Sequence, residues 1–260
     1  MTDEEILARA DANYFSAMTT FIGGAKRGEV RSRDGVLIAY SGTQVAAFNV
    51  AFVTRSPSDR ERTISEAIEF FDERGAPFIL RVREGVDPES ERAGRECGLR
   101  YTDTVPGLIM ADPKIPAMRS DIAIRMIDDE VSLADHRSVV AEAFEMPAEL
   151  AKYFLTMRLF GTPDVIGYVG YVDGVAVATS ALFMTHRVAG VYNVATRREY
   201  RKRGIGEAMT WRAIADGMAA GCVMASLQAS ELGQPVYERM GFRAVAPYRT
   251  FGRPEKTGSG

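Results

Sequence analysis

Arg201-Lys202-Arg203-Gly204-Ile205-Gly206-Glu207 alternates cations with glycines directly ahead of an Ala/Met/Trp-rich run with helical spacing. Residues of these types in this order can hold a doubly charged phosphate group. Gly204 and Gly206 let the backbone turn with no Cβ in the way. The first amides of the following helix have no intrahelical acceptor, and the helix dipole turns them toward an anion. Arg201, Lys202 and Arg203 add full positive charge. Two commoner phosphate motifs do not fit. A dinucleotide fingerprint needs a third glycine where this chain has Met209 and an acid about twenty residues on. A Walker loop needs Gly-Lys-Ser/Thr, which is absent. From these residues alone, a solvated basic helix start is the competing reading.

The turn has to be positioned by what flanks it. Before it runs an apolar stretch ending in Tyr192-Asn193-Val194-Ala195-Thr196, which reads as a strand. The pattern predicts helices at 129–144 and 147–159, then strands at 122–127, 165–172, 175–185 and 188–196. A helix at 205–220, a strand at 222–229, a helix at 233–240 and a strand pair after Gly241 follow. This order predicts an α/β (α+β) fold with a mixed, mostly antiparallel sheet flanked by helices and one parallel crossover.

The chain also repeats itself. Phe48-Asn49-Val50-Ala51 and Tyr192-Asn193-Val194-Ala195 lie 144 residues apart. Each follows an Asp-Gly turn (Asp34-Gly35, Asp173-Gly174) and precedes a helix, a glycine (Gly75, Gly221), a strand (77–82, 222–228) and a short helix closed by Gly98 or Gly241. Pro113 and Pro116 mark an extended linker, so the expected domains are 1–116 and 121–256. The small polar tail 256–260 reads as disordered.

The halves differ where chemistry is at stake. In place of the glycine–basic turn, residues 54–63 contain no glycine, and Ser58 with Glu61 reads as a capping box that occupies the helix amides. Tyr237 lies four residues before Gly241, whereas Gly94 lies four before Gly98. A phenol therefore accompanies only the half that carries the anion turn.

The second half resembles the GCN5-related N-acetyltransferase (GNAT) family through Arg201-x-x-Gly204-x-Gly206, the preceding Asn193-Val194-Ala195-Thr196, and Pro235-Val236-Tyr237-Glu238-Arg239-Met240-Gly241-Phe242. The first half looks like a degenerate copy, so the chain resembles a tandem of two acyl-CoA N-acyltransferase-like domains with one working site. Arg198 stands where the family often has proline. The resemblance implies acetyl-CoA as co-substrate, its pantetheine arm along Val194, Ala195 and Thr196 and its pyrophosphate on the amides of Lys202, Arg203, Gly204, Ile205, Gly206 and Glu207 beside Arg201. It also implies transfer of an acetyl group to a primary amine by direct attack, with Tyr237 as general acid. Glu142, Glu145 and Glu231 are candidates for the base. The segment from Phe144 and Met146 through Tyr153, Phe154 and Phe160 would face the acceptor, a small-molecule or peptide amine, or serve as core. A non-catalytic acyl-CoA-binding regulatory module is the alternative function.

Composition sets the remaining expectations. A formal net charge of −3 argues against nucleic acid or anionic membrane as partner. Two cysteines, Cys97 and Cys222, and two histidines give no metal centre, and both thiols read as buried structural groups. With no apolar run of membrane length, a cytoplasmic location is expected. A homodimer is compatible with these features.

Overall fold

The computed structural model describes residues 1–119, 121–231 and 233–254. In chain order its elements are α1 (Asp3–Gly23), β1 (Glu29–Arg33), β2 (Val36–Tyr40), β3 (Asn49–Val53), α2 (Arg60–Asp72), β4 (Ile79–Arg83), α3 (Pro88–Glu96) and β5 (Arg100–Met110). There follow β6 (Ala123–Met126), α4 (Glu130–Ala143), α5 (Ala148–Phe154), α6 (Met157–Phe160), β7 (Val165–Val172), β8 (Val175–Thr185) and β9 (Val188–Thr196). The chain ends with α7 (Ile205–Ala219), β10 (Met224–Gln228), α8 (Gln234–Met240) and β11 (Arg243–Gly252). The mixed, mostly antiparallel architecture with flanking helices is as expected.

Packing divides the chain into two compact units. The larger combines Met1–Ala17 with Leu108–Val245; the smaller combines Met18–Gly107 with the stretch that begins at Ala246. A cut between residues 116 and 121 therefore follows chain order and not packing, because α1, β5 and β11 each contribute to both units. The end of the second expected domain, residues 255 and 256, and the tail lie outside the described residues.

In the larger unit β6, β7, β8 and β9 form an antiparallel meander, β10 runs parallel to β9, and the end of β5 lies beyond β10. The β7–β8 turn places Asp173 and Gly174 at φ 50 and 78, the left-handed pair that suits a two-residue hairpin. The β8–β9 turn puts His186 and Arg187 at φ 55 and 61, where non-glycine residues are uncommon. Arg9 of α1 donates to the His186 carbonyl at 3.0 Å and so braces it. One face of the sheet buries α7, which approaches closely because Gly217 has no Cβ to collide with Ala189. Met209, Ile214, Leu182, Ala189 and Ala225 form the centre of that core.

Asn13 of α1 fastens the other face. Its amide donates to the carbonyls of Phe183 (2.9 Å) and Val188 (3.3 Å) and to the Thr185 hydroxyl (3.0 Å), and its oxygen accepts from the buried Tyr192 hydroxyl at 3.0 Å. Gly190 is required beneath it, since a Cβ there would lie 2.0 Å from the Asn13 oxygen. Asn13→Ala is expected to destabilise the chain by about 2–4 kcal/mol, because it strands several buried groups at once. Urea melts would show this as a lowered midpoint.

On the same unit, α4 buries His136 completely. Its Nδ1 pairs with the Tyr168 carbonyl at 3.1 Å, and its Nε2 has no partner among the described residues. Burial pushes its pKa down to about 4. Because the folded-state value lies below the unfolded one, stability is full above about pH 6.5 and is lost as pH falls toward 4. This amounts to at most about 3 kcal/mol. In His136→Leu the loss of stability between pH 6.5 and 4 should largely disappear in denaturant melts.

In the smaller unit β1, β2 and β3 are antiparallel, β3 and β4 parallel, and residues 248–252 of β11 run antiparallel to β4. Its core includes Phe71 stacked on Phe78 at 4.6 Å. Parallel pairing sets Val50 opposite Ile79, the first residue of β4, and Val188 opposite Met224, the first residue of β10. By strand register the counterpart of Val50 is therefore Val188 and not Val194. The architecture repeats, but the matching tetrapeptides occupy opposite ends of their strands, and β9 runs further before its helix.

Four local expectations need correction. The helix expected over 147–159 is two, α5 and α6, separated where Thr156 begins the second by accepting from the Leu159 amide. The strand pair expected after Gly241 is the single strand β11. Cys97 is exposed and only Cys222 is buried, because Cys97 follows the last turn of α3 on its outer side. The capping box of Ser58 and Glu61 is replaced by Asp59, whose carboxylate accepts from the Arg62 amide, while Ser58 donates through its amide and hydroxyl to Asp34. Carboxylates satisfy these donors better than a hydroxyl does.

Candidate active site

The site begins with two strands that part. β9 and β10 pair only where residues 188–190 face residues 224–226. On the opposite side of β9, Thr179 faces Ala195 while Ala181 faces Tyr192, so β9 carries one residue more than β8 across this interval. Asn193 absorbs it with φ 49, and the Thr179 hydroxyl donates to its carbonyl at 2.9 Å. Such a bulge bends its strand. Beyond it Val194, Ala195 and Thr196 have no paired partner in β10, so their backbone edge can receive an added extended chain. In the smaller unit β3 stays paired with β4 through Val53 and Val82, and β2 with β3 shows no bulge. No such edge is open there.

Arginines fix the end of β9. Arg197 donates to the Ala176 carbonyl at 2.8 Å and the Ser138 hydroxyl at 2.9 Å, and pairs with Glu142. Arg201 donates to the carbonyls of Thr196 (3.0 Å) and Ala143 (3.3 Å). Its charge remains near the turn, while these two contacts use its donors as a clamp between β9 and α4. Lys202 and Gly204 have φ 62 and 72, and α7 starts at Ile205 with no side-chain cap. The left-handed glycine is thus Gly204. Gly206 is helical, and a Cβ on it would meet only Thr196 Oγ1 at 3.4 Å and Val194 at 3.9 Å. The helix amides of Ile205, Gly206 and Glu207 start α7 without a capping side chain, with Gly206 beside Thr196 and Val194, the reverse of Asp59 on α2.

Tyr237 stands on α8, its ring edge-on to Phe242 at 5.9 Å and packed on the same core as α7. Burial pushes its pKa up to about 12, partly opposed by a hydrogen bond with Thr210. Thr210 places its one hydroxyl hydrogen on the Gly206 carbonyl at 2.9 Å, in the first turn of α7. Gly94, its counterpart in α3, packs against Leu80, whose Cδ2 would have to move to admit a Cβ, 2.8 Å away.

Glu142 is tied to Arg197, while Glu145, at φ 51 after α4, and Glu231 are exposed. Phe154 and Phe160 are buried core residues, with Phe160 edge-on to His136 at 5.2 Å; Phe144 is exposed. Sequence reasoning passed over Arg119. It lies in the segment after the prolines, yet its Nη1 donates to the Arg203 carbonyl, and only proximity in the fold reveals this.

Residues 132–242 match the model of the acetyltransferase (GNAT) family. Among solved structures, a GCN5-related N-acetyltransferase from Kribbella flavida is 18% identical with a TM-score of 0.73, covering 94% of this chain and 95% of that one. One from Sphaerobacter thermophilus is 18% identical with a TM-score of 0.62, covering 87% and 76%. A tandem GNAT protein from the clavulanic acid biosynthesis pathway is 12% identical with a TM-score of 0.63, covering 96% and 95%. At these identities the likeness is one of fold. No curated protein matches the sequence. No helix among the described residues is long and apolar enough to cross a membrane.

Proposed function

We propose that the larger unit, which carries a GNAT-family acyltransferase domain over residues 132–242, moves an acetyl group from acetyl-CoA to a primary amine by direct attack. The family uses an acyl-CoA co-substrate. The observation that carries it is the coincidence of parted strands with an uncapped, cation-rich helix start. The edge of Val194, Ala195 and Thr196 fits an amide-bearing pantetheine arm. The amides from Lys202 to Glu207 fit a pyrophosphate. The smaller unit, with paired strands and a carboxylate cap, would be a degenerate copy that holds no donor.

In the reaction the amine nitrogen forms a bond to the thioester carbon and the carbon–sulfur bond breaks. One proton passes overall from nitrogen to sulfur. Holding the two reactants together accounts for much of the rate. A β9 amide near Val194 or Ala195 would stabilise the oxyanion. With its pKa near 12, Tyr237 cannot readily give its proton outright to a thiolate. Against a leaving thiol of lower pKa that step is uphill. Tyr237 therefore acts first as a hydrogen-bond donor to the leaving sulfur, and the net proton comes from the attacking nitrogen. A screen of thiol release from acetyl-CoA with a panel of amines tests the reading. CoA-dependent thermal stabilisation with no release for any amine would instead favour a non-catalytic binding module.

A further inference from the structure

We propose that Arg119 is a phosphate-binding residue of the acyl-donor site, held in readiness by Asp121. The inference rests on the donor site proposed above and adds to it a residue from outside the glycine turn.

Arg119 lies against that turn. Its Nη1 donates to the Arg203 carbonyl and lies 2.6 Å from where a Cβ on Gly204 would stand. The absence of a side chain at Gly204 thus makes room for a guanidinium as well as permitting the left-handed backbone. Nε and Nη2 both bind the Asp121 carboxylate, at 2.9 and 2.5 Å, a two-point contact that fixes the plane of the group. Among the described residues these contacts use three of the five guanidinium N–H groups. The side chain is 38% exposed, so solvent and ligand can reach it.

Charge gives the arrangement a purpose. Glu207 stands in the first turn of α7, among the amides that would hold the pyrophosphate. A carboxylate there opposes a bound phosphate. Arg119 lies within the field of Glu207 and offsets it. Its bond to the Arg203 carbonyl also neutralises an oxygen of the turn that would otherwise repel the anion. Asp121 limits the cost of ordering the long side chain on binding, because the fork is already oriented.

The test uses the full chain and two ligands, CoA and pantetheine, which lacks every phosphate. In Arg119→Gln the Kd for CoA should rise about tenfold, the loss expected for one charge-assisted contact. Arg119→Lys should recover part of that loss. Pantetheine should bind all three proteins alike, and the melting temperature should be nearly unchanged. If CoA and pantetheine weaken together, Arg119 only braces the fold, and the proposal fails. An unchanged CoA affinity in Arg119→Gln would overturn it equally. Failure of the unaltered chain to bind CoA would overturn the donor site itself.

Discussion

Tyr237→Phe is expected to slow acetyl transfer by about a hundredfold, the lower end of what a hydrogen-bond donor aimed at developing charge contributes, while the Kd for acetyl-CoA stays within about twofold. Loss of the hydroxyl leaves the ring in place against Phe242, and Thr210 keeps its bond to the Gly206 carbonyl. Stability should therefore change little. An interaction made mainly with the leaving sulfur lowers kcat without raising the dissociation constant. Steady-state rates with the best amine from the screen, beside calorimetric binding, separate the two effects. Equal turnover in Tyr237→Phe would make the residue a packing group.

The raised pKa fixes the sign of the pH dependence. A free phenol loses its proton near pH 10, whereas Tyr237 keeps it to about 12. Its donor form persists across the working range, so any fall in rate below pH 10 has another origin, such as Cys or Lys groups or the protein's own alkaline unfolding. The same shift is a stability statement. The folded-state pKa lies above the unfolded one, so the contribution of the protonated phenol is complete below pH 10 and is lost as pH rises toward 12. Tyr237→Phe removes that loss.

Particular residues show how much of this was legible in sequence. Asp173-Gly174 and the alternating apolar runs around it marked β7 and β8 to within a residue, because a two-residue turn and a half-buried pleat leave direct traces. The uncapped start of α7 was equally readable from Gly204. The opening between β9 and β10 was not. It depends on which residues pair, and Asn193 in a bulge is the same letter as Asn49 in a regular strand. The shared Asn-Val-Ala even suggested an alignment that strand register overturns. Asn13 and Arg119 were invisible for a related reason: each acts about eighty or more residues along the chain from where it sits, and no local pattern announces such a contact.

Register also explains why only one half has an open site. β3 and β4 stay paired to the end of β3, and α2 begins under carboxylates from Asp59 and Asp34. Both the edge that would take a pantetheine arm and the amides that would take a phosphate are already bonded within the chain. Substituting residues 54–59 with a glycine–basic turn would restore the amides and leave the strand edge closed. The two features are separable, and a donor site needs both.

Gly204→Val carries the largest expected loss of donor binding, a rise of about a hundredfold or more in the Kd for CoA, with the fold retained. At φ 72 a β-branched residue is a steric outlier. Its Cβ would also meet the Arg119 guanidinium 2.6 Å away. The strain would be relieved locally, since the turn precedes α7 and is exposed, and the rearrangement would swing the helix amides off the phosphate position. Losing only two of the amide contacts, each worth about 1–1.5 kcal/mol, already gives the hundredfold figure. Gly206→Ala supplies the control. Its φ is helical, its Cβ would make ordinary contacts with Thr196 and Val194, and alanine favours a helix over glycine by up to about 1 kcal/mol. Gly206→Ala should keep CoA affinity within about threefold and melt no lower than the unaltered chain. Calorimetry on the two variants side by side decides the matter. If they weaken CoA equally, the site depends on open space at the start of α7, and the left-handed backbone at Gly204 has no special part in it.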